Sequence, residues 1–513
     1  MSCSAGVCAP TAKNAVLNVT DLANLLQASD VKVTTGSGAI TIEITAGLSW
    51  ASPNRLTLDA NCNVSVKAPV TVAGPGGLTV VTNDGGSGCD LLFFPGGKIA
   101  FWDKHSSLLI DGKRYKLESS LPHLAKDIAD NPSGLYALAN DYDASVDGAY
   151  KYSPIATFVG TFEGLGNTIS HFTIKARKFG GGLFDEIGSG GLIRDFGLVE
   201  ASVVSGNAQS RAAGLLAAGN LGVIAHSFTT GSIQNSGSED SAGGLVGANA
   251  GIISDSYSQA SVWAANGSGG LASYNTGLIT ACYASGTVSG YLSGGLVSEN
   301  VGGTLVGSHA TGSVYGEQAG GLAGWNSGSI STTFATGTVN AQRSGGLLGA
   351  NGGTVDSSFA TGGVTGNYQS LSGGLVGYTT GGSITNSYAS GPVDGGADFT
   401  AIAGGLIGSN NARNGSVFLE NSYSTGTVSV MGHVGGFIGD NSVVPGETVY
   451  GYWDVDTSGS DHGCGEGDCS GITGLTDAQL KSALPAGFDP AVWGQNANIN
   501  NGYPYLLANP PPP

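Results

Sequence analysis

The side chains best suited to chemistry in this chain are its cysteines and one short acidic run. Seven cysteines are present. Cys3 and Cys8 are close in sequence, as are Cys464 and Cys469, and Cys62 could bridge to Cys89. Disulfides, inert thiols and zinc are all open readings for these six. The odd count leaves at least one thiol, such as Cys282, unpaired in a monomer. Zinc is disfavoured, because neither local pair has C-x-x-C spacing and no His cluster accompanies them. Asp454-Val455-Asp456-Thr457-Ser458-Gly459 alternates oxygen-bearing side chains like the first half of a calcium loop. Its twelfth position is Gly465 rather than Glu. Calcium held by Asp454, Asp456 and Ser458 therefore stands beside a plainer reading, an Asp/Gly turn tied by Cys464 and Cys469. No other metal or cofactor is expected. Glycoside hydrolysis would need two carboxylates on one face. Acids such as Asp195, Asp255, Glu299 and Asp356 do not pair at equivalent positions, so no catalytic residue and no enzyme is expected.

These residues sit in a chain of 513 residues, of which 89 are Gly and 11% are charged. So much Gly, with abundant Ser, Thr and Asn, opposes a helical fold. Hydrophobic residues still make up 40%, which opposes disorder. An internal repeat decides the architecture. A Gly-Gly-Leu element recurs at Leu183, Leu215, Leu245, Leu271, Leu296, Leu322, Leu347, Leu375, Leu406 and Phe437, in steps of 25 to 32 residues. About a dozen residues later comes a Ser-aromatic element, as at Ser256-Tyr257 and Ser358-Phe359. Its ring column runs Phe228, Tyr257, Tyr283, His309, Phe334, Phe359, Tyr388, Tyr423. His309 replaces an aromatic there and reads as a core or edge residue rather than a base. Short alternating runs between glycines are half-buried strands, and Gly permits the corners. A single coil of roughly 80 Å perimeter cannot bury its apolar side, but stacked coils can. The predicted fold is all-β: a parallel β-solenoid, or β-helix, of three-strand coils of about 25 residues with short helical insertions and a capped C-terminus.

Asn249, Asn275, Asn300, Asn326 and Asn351 stand four residues after successive motif leucines, followed by Asn410 and Asn441, with Thr379 interrupting. The expected role is a structural ladder of stacked amides. A glycan-binding stripe is the alternative. The unit GGLVGxNxGxIxxSYAxGxVxG, seen from Gly243 to Val262, resembles the GLUG repeats of filamentous-haemagglutinin-like bacterial surface exoproteins. The resemblance runs from about residue 180 to 441. Gly160-Thr-Phe-Glu-Gly-Leu-Gly-Asn-Thr-Ile169 resembles the coil that precedes such repeats, and Tyr452 to Gly459 with Val492-Trp493 and Asn501 to Tyr505 resembles their usual ending. What the resemblance implies is an adhesin.

The chain divides into a disordered tail (1–12), irregular β-helix coils (13–117), a helix-containing connection (118–160), the GLUG-repeat solenoid (161–450), a C-terminal cap with the Cys464/Cys469 loop (451–509) and a Pro tail (510–513). Helices are expected at Asp21–Leu26, from Pro122 to Asn131, and from Thr476 to Ser482, the last lying over the final coil. A net charge of −18 with 19 basic residues excludes nucleic acid as a partner. No apolar run is long enough to insert into a membrane. The opening residues lack the regions of a secretion signal, so an exported chain would be part of a longer exoprotein. The expectation is a secreted or cell-surface adhesin binding a host glycan or protein. A passive stalk, or a scaffold self-associating end to end through open strand edges, is the alternative. A polysaccharide-acting enzyme is the third reading.

Overall fold

The computed structural model describes residues 1–36, 39–83, 88–176, 181–206, 212–237, 240–410, 417–442 and 447–512. Pro513, at the end of the expected Pro tail, lies outside the described residues. The chain is a parallel β-solenoid. One coil shows the plan: strands Val288–Gly294, Val297–Asn300 and Thr304–Val306, then the two-residue strand His309–Ala310. Each pairs in parallel with its equivalent in the next coil, Val314–Gly320, Ala323–Asn326, Ser329–Ser331 and Phe334–Ala335. Register is strict: Leu305 stands beside Ile330, and Asn300 beside Asn326. The motif leucines, Leu245 to Leu406, are fully buried together with Ile253, Ile279 and Ile330 in one continuous core.

The Gly-Gly-Leu element makes a tight corner, and Gly is required there by space. A Cβ on Gly320 would lie 2.0 Å from the Ala323 carbonyl oxygen and 2.5 Å from the Gly349 nitrogen. The strand before the corner and the strand after it thus lie closer together than ordinary packed sheets, which sit about 10 Å apart. Small residues line the narrow space between these two leaves: Ser293, Ala319 and Ser344 on one, Ser298, Gly324 and Gly349 on the other. The second leaf is a twelve-stranded parallel sheet running from Ile155–Phe158 to Cys464–Gly467.

The N-terminal coils hold a separate core around Trp50, Leu56, Leu78 and Phe101. Strand Lys113–Glu118 leaves this stack antiparallel to Ser107–Ile110 and enters the next one parallel to Leu135–Leu138. Helix α1 (Val19–Ala28) is capped by Asn18 and buries Leu22 and Leu26. Helix α2 (Leu121–Asp130) has Pro122 in its first turn and packs Leu121, Leu124 and Ile128 into the repeat core beside strand Ile155–Phe158.

Residues 1–12 differ from expectation. They contain an ordered hairpin, Ser2–Ser4 against Val7–Ala9, closed by the Cys3–Cys8 disulfide. Val7 and Cys8 also pair with Lys32 and Val33, so the hairpin adds to the sheet and buries Cys8. Helix α3 (Asp477–Ser482) begins at Thr476 with a reciprocal capping box to Gln479. Its location is a second difference, because it does not simply close the final coil. The segment from α3 to Asn509 runs along the side of the solenoid, packing Leu480, Phe488, Trp493 and Leu506 against Phe359, Tyr388, Tyr423 and Tyr452. The ring column offers apolar surface at every coil, which the terminal strand edge does not.

Candidate ligand-binding face

The asparagines form a buried hydrogen-bonded chain. Nδ2 of Asn249 donates to Oδ1 of Asn275, which donates to Asn300, then Asn326, then Asn351, each at 2.8 Å. Asn220 adds one further rung at the start, donating to Asn249 at 2.8 Å. After Asn351 the ladder resumes with Thr379 donating to Asn410 and Asn410 to Asn441. All five predicted ladder residues are essentially without exposure, so their amides face neighbouring coils and not a ligand.

Cys62 is bonded to Cys89 as Cys3 is to Cys8, whereas Cys282, Cys464 and Cys469 are free. The Cys464/Cys469 tie is therefore corrected. Cys464 sits in strand Cys464–Gly467 with its Sγ toward the Asp468 carbonyl, and Cys469 lies exposed beyond that strand. The calcium candidates are committed to other bonds. Asp454 is fully buried; its Oδ1 accepts from the Asp456 backbone at 2.9 Å and its Oδ2 from the Tyr503 hydroxyl at 2.9 Å. Asp456 accepts from the Asp477 backbone, and the Ser458 hydroxyl donates to the Ser460 carbonyl. This knot holds the lateral segment to the coil. Among the described residues no three His, Cys, Asp or Glu side chains gather as a metal group.

One acidic pair escaped the sequence pattern. Glu163 and Asp195 are buried together beside Arg194, whose Nε lies 3.1 Å from Glu163 and 2.8 Å from Asp195. Burial and the neighbouring Asp195 charge push the Glu163 carboxyl well up. Register places Glu163 opposite Arg194, not Asp195, which is why equivalent-position matching does not find the pair. Asp195 reaches back because it turns the corner with φ of 53°. Arg194 also bonds Asp90 and the Leu91 carbonyl, fastening the N-terminal stack to the repeats.

Aromatic residues recur at fixed register positions in the repeats. In the twelve-stranded sheet, Tyr274, Glu299, Trp325, Ala350 and Tyr378 occupy one register column, in which Tyr274 is exposed, Glu299, Trp325 and Tyr378 are half-buried and Ala350 is buried. Aromatics thus fall on every second coil. A parallel column on the preceding strands repeats the pattern with Trp263, Ser289 and Tyr315. Tyr274 and Trp263 are each 39% exposed and Tyr315 46%. The facing leaf supplies Leu292, Gln318, Arg343 and Leu371 in one column. Gln318 is buried and bridges the seam: its Nε2 donates to the Gly324 carbonyl at 3.0 Å and its Oε1 accepts from the Tyr378 hydroxyl at 3.2 Å. The Arg343 guanidinium lies 5.7 Å from the Tyr378 ring centre. Elsewhere on the coils, the outward column beside the aromatic core reads Ser254, Thr280, Val306, Ser331, Asp356 and Thr385. The signal for the Tyr274 column was present in the sequence, two residues after Gly-Gly-Leu-x, but only the register shows that the positions align.

The GLUG motif matches residues 368–394, a span that includes the Tyr378 strand. The repeat region is a GLUG-repeat region. No curated protein matches the chain. Among solved structures it is similar to a Bacteroides ovatus protein described as a "putative immunoglobulin A1 protease", at 19% identity and a TM-score of 0.27 over 77% of this chain and 93% of that one.

Proposed function

We propose that this GLUG-repeat solenoid is a secreted or surface-displayed adhesin, binding a glycan or protein of another cell through its aromatic flank. GLUG repeats are typical of extracellular proteins. Among the described residues no helix is long and apolar enough to cross a membrane. The carrying observation is a pair of aromatic register columns in the repeats, Tyr274, Trp325 and Tyr378 in one and Trp263 and Tyr315 in the other, of which Tyr274, Trp263 and Tyr315 are exposed. Aromatic side chains are enriched at binding surfaces. The −18 charge disfavours nucleic acid. The buried acidic pair and the asparagine ladder are read as architecture, and the proposal assigns no catalytic residue. Calcium has no part in this proposal, in which Asp454 and Asp456 accept from the Asp456 and Asp477 backbone and brace the lateral segment.

The test is binding of the full chain to a glycan array and to host cells, with and without calcium, against a Tyr274→Ala/Trp325→Ala/Tyr378→Ala variant. Saturable binding, lost in the variant and unaffected by calcium, is expected. Absence of binding by folded protein would leave the solenoid as a stalk.

A further inference from the structure

We propose that the uncovered half of the ring column, from Phe228 to His309, is a docking strip for a proline-rich, positively charged peptide segment of a partner protein, held in the polyproline II conformation. One column here has two halves. Phe359, Tyr388, Tyr423 and Tyr452 lie under the lateral segment, whose Phe488, Trp493 and Leu506 close over them. That cover is polar as well as apolar. The Tyr423 hydroxyl donates to the Pro504 carbonyl at 2.5 Å, the Tyr452 hydroxyl to the Ala486 carbonyl at 2.9 Å, and Trp493 Nε1 to the Asn386 side chain at 3.4 Å. Coverage ends at Phe334, where Asn509 donates to the Thr333 and Ser357 carbonyls. Phe228, Tyr257, Tyr283 and His309 continue the same stack and stay half-buried. Their faces are used on one another, so they offer ring edges and hydroxyls. Among the described residues the Tyr257 and Tyr283 hydroxyls have no hydrogen-bond partner, whereas those of Tyr423 and Tyr452 meet carbonyls of the lateral segment.

Spacing selects the conformation of the occupant. The open rings recur at every coil, with centroids 4.6–5.2 Å apart. Alternate rings therefore stand about 9.6 Å apart. A polyproline II helix turns once in three residues and rises about 9.3 Å in doing so. Every third residue thus meets every second ring, Tyr257 and His309 or Phe228 and Tyr283. A β-strand returns to the same face after about 6.6–6.8 Å and falls out of step. Polyproline II also leaves its carbonyls without internal partners, ready to accept from tyrosine hydroxyls, and it loses little conformational entropy on docking. The Tyr423 bond to Pro504 is that same pairing inside this chain. Charge sets the rest. Asp255 turns the corner before Tyr257 as Asn386 does before Tyr388, both at positive φ. Its carboxylate is 53% exposed, with His226 Nε2 4.0 Å away. Where Asn386 receives the Trp493 indole, Asp255 suits a lysine or arginine of the peptide. With 37 acidic against 19 basic residues, the chain attracts such a segment.

The strip spans three coil steps, about 14 Å, which about five polyproline II residues cover. Binding to the full chain is measured by titration calorimetry with three short synthetic peptides. One has proline at every third position and two arginines, one has the same composition scrambled, and one has glutamates in place of the arginines. The spaced arginine peptide is expected to bind at least about tenfold tighter than either other. Tyr257→Phe/Tyr283→Phe keeps the ring stack and removes the two donors. It should weaken that peptide about tenfold with an unchanged thermal midpoint. Asp255→Asn should weaken it about threefold and reduce its salt dependence. Tyr274→Ala/Trp325→Ala/Tyr378→Ala, in the twelve-stranded sheet to which the ring column does not belong, should leave peptide binding unchanged. Equal binding of the scrambled peptide, full binding by the double variant, loss in the triple variant, or no binding by folded protein would each overturn the assignment. A concentration-dependent dimer in light scattering, abolished by Tyr257→Phe/Tyr283→Phe, would also overturn it and give the strip to a second copy of this chain.

Discussion

Two sets of aromatic side chains run along the same coils with different periods. The inner column, from Phe228 to Tyr423, has a ring on every coil, with neighbouring planes within 5° to 9° of parallel. Each of its rings uses its faces on its own neighbours. The outer row skips alternate coils, and among the described residues none of Tyr274, Trp325 and Tyr378 stacks on another ring. A one-coil period stacks rings on one another, and a two-coil period does not; the Tyr378 ring meets the Arg343 guanidinium instead. The inner column is itself divided. Phe359, Tyr388 and Tyr423 are sealed beneath Phe488, Trp493 and Leu506, while Phe228, Tyr257 and Tyr283 stay half-buried.

The most disruptive change should act on both sets at once. Gly320→Ala puts a Cβ against backbone atoms that cannot yield, and should cost about 3 kcal/mol or more. The expected readout is a large fall in the urea midpoint together with loss of ligand binding. Next, Tyr388→Ala in the sealed column should cost about 3–4 kcal/mol, against about 1 kcal/mol for Tyr257→Ala in the open part. Equal costs would mean that the lateral segment adds nothing to ring packing.

A titration sharpens the comparison by separating stability of the whole stack from either aromatic set. Burial and the neighbouring Asp127 push the Glu118 carboxyl up to about 7, against an ordinary value of 4.5. The native state therefore holds a proton that the unfolded state releases. Stability is full below about pH 4.5 and declines as pH rises through about 7. Glu118→Gln should flatten that slope and add on the order of 2 kcal/mol at pH 8, read by thermal unfolding across pH. The smallest stability effect belongs to the outer row: Trp325→Ala should stay within about 0.5 kcal/mol of the parent. A larger loss would make the outer rings packing residues like the inner ones.

Much of this was legible in the chain. The Leu column, the ring column and the asparagine ladder follow from residues recurring at one coil length, because parallel in-register stacking makes sequence repeats into spatial columns. The buried pair Glu163 and Asp195 was not legible, since its partners are offset by a corner residue with positive φ. Cys464 and Cys469 misled because two thiols close in sequence, and here in side-chain contact, are not thereby a disulfide. The N-terminal hairpin was missed because three-residue strands carry little pattern, and its pairing partner lies at Lys32 and Val33.

The sequence by itself determined the solenoid, its inward columns and its Gly corners, since each depends on local alternation and a period of one repeat. Tertiary structure decided the rest. It placed the segment from Thr476 to Asn509 along the ring column, committed Asp454 to Tyr503, and aligned Tyr274, Trp325 and Tyr378 into one row. Repeat lengths of 25 to 28 residues in that region hide the alignment. Insertions are absorbed at corners while backbone pairing keeps the strands in register, so only the paired coils reveal which side chains share a face.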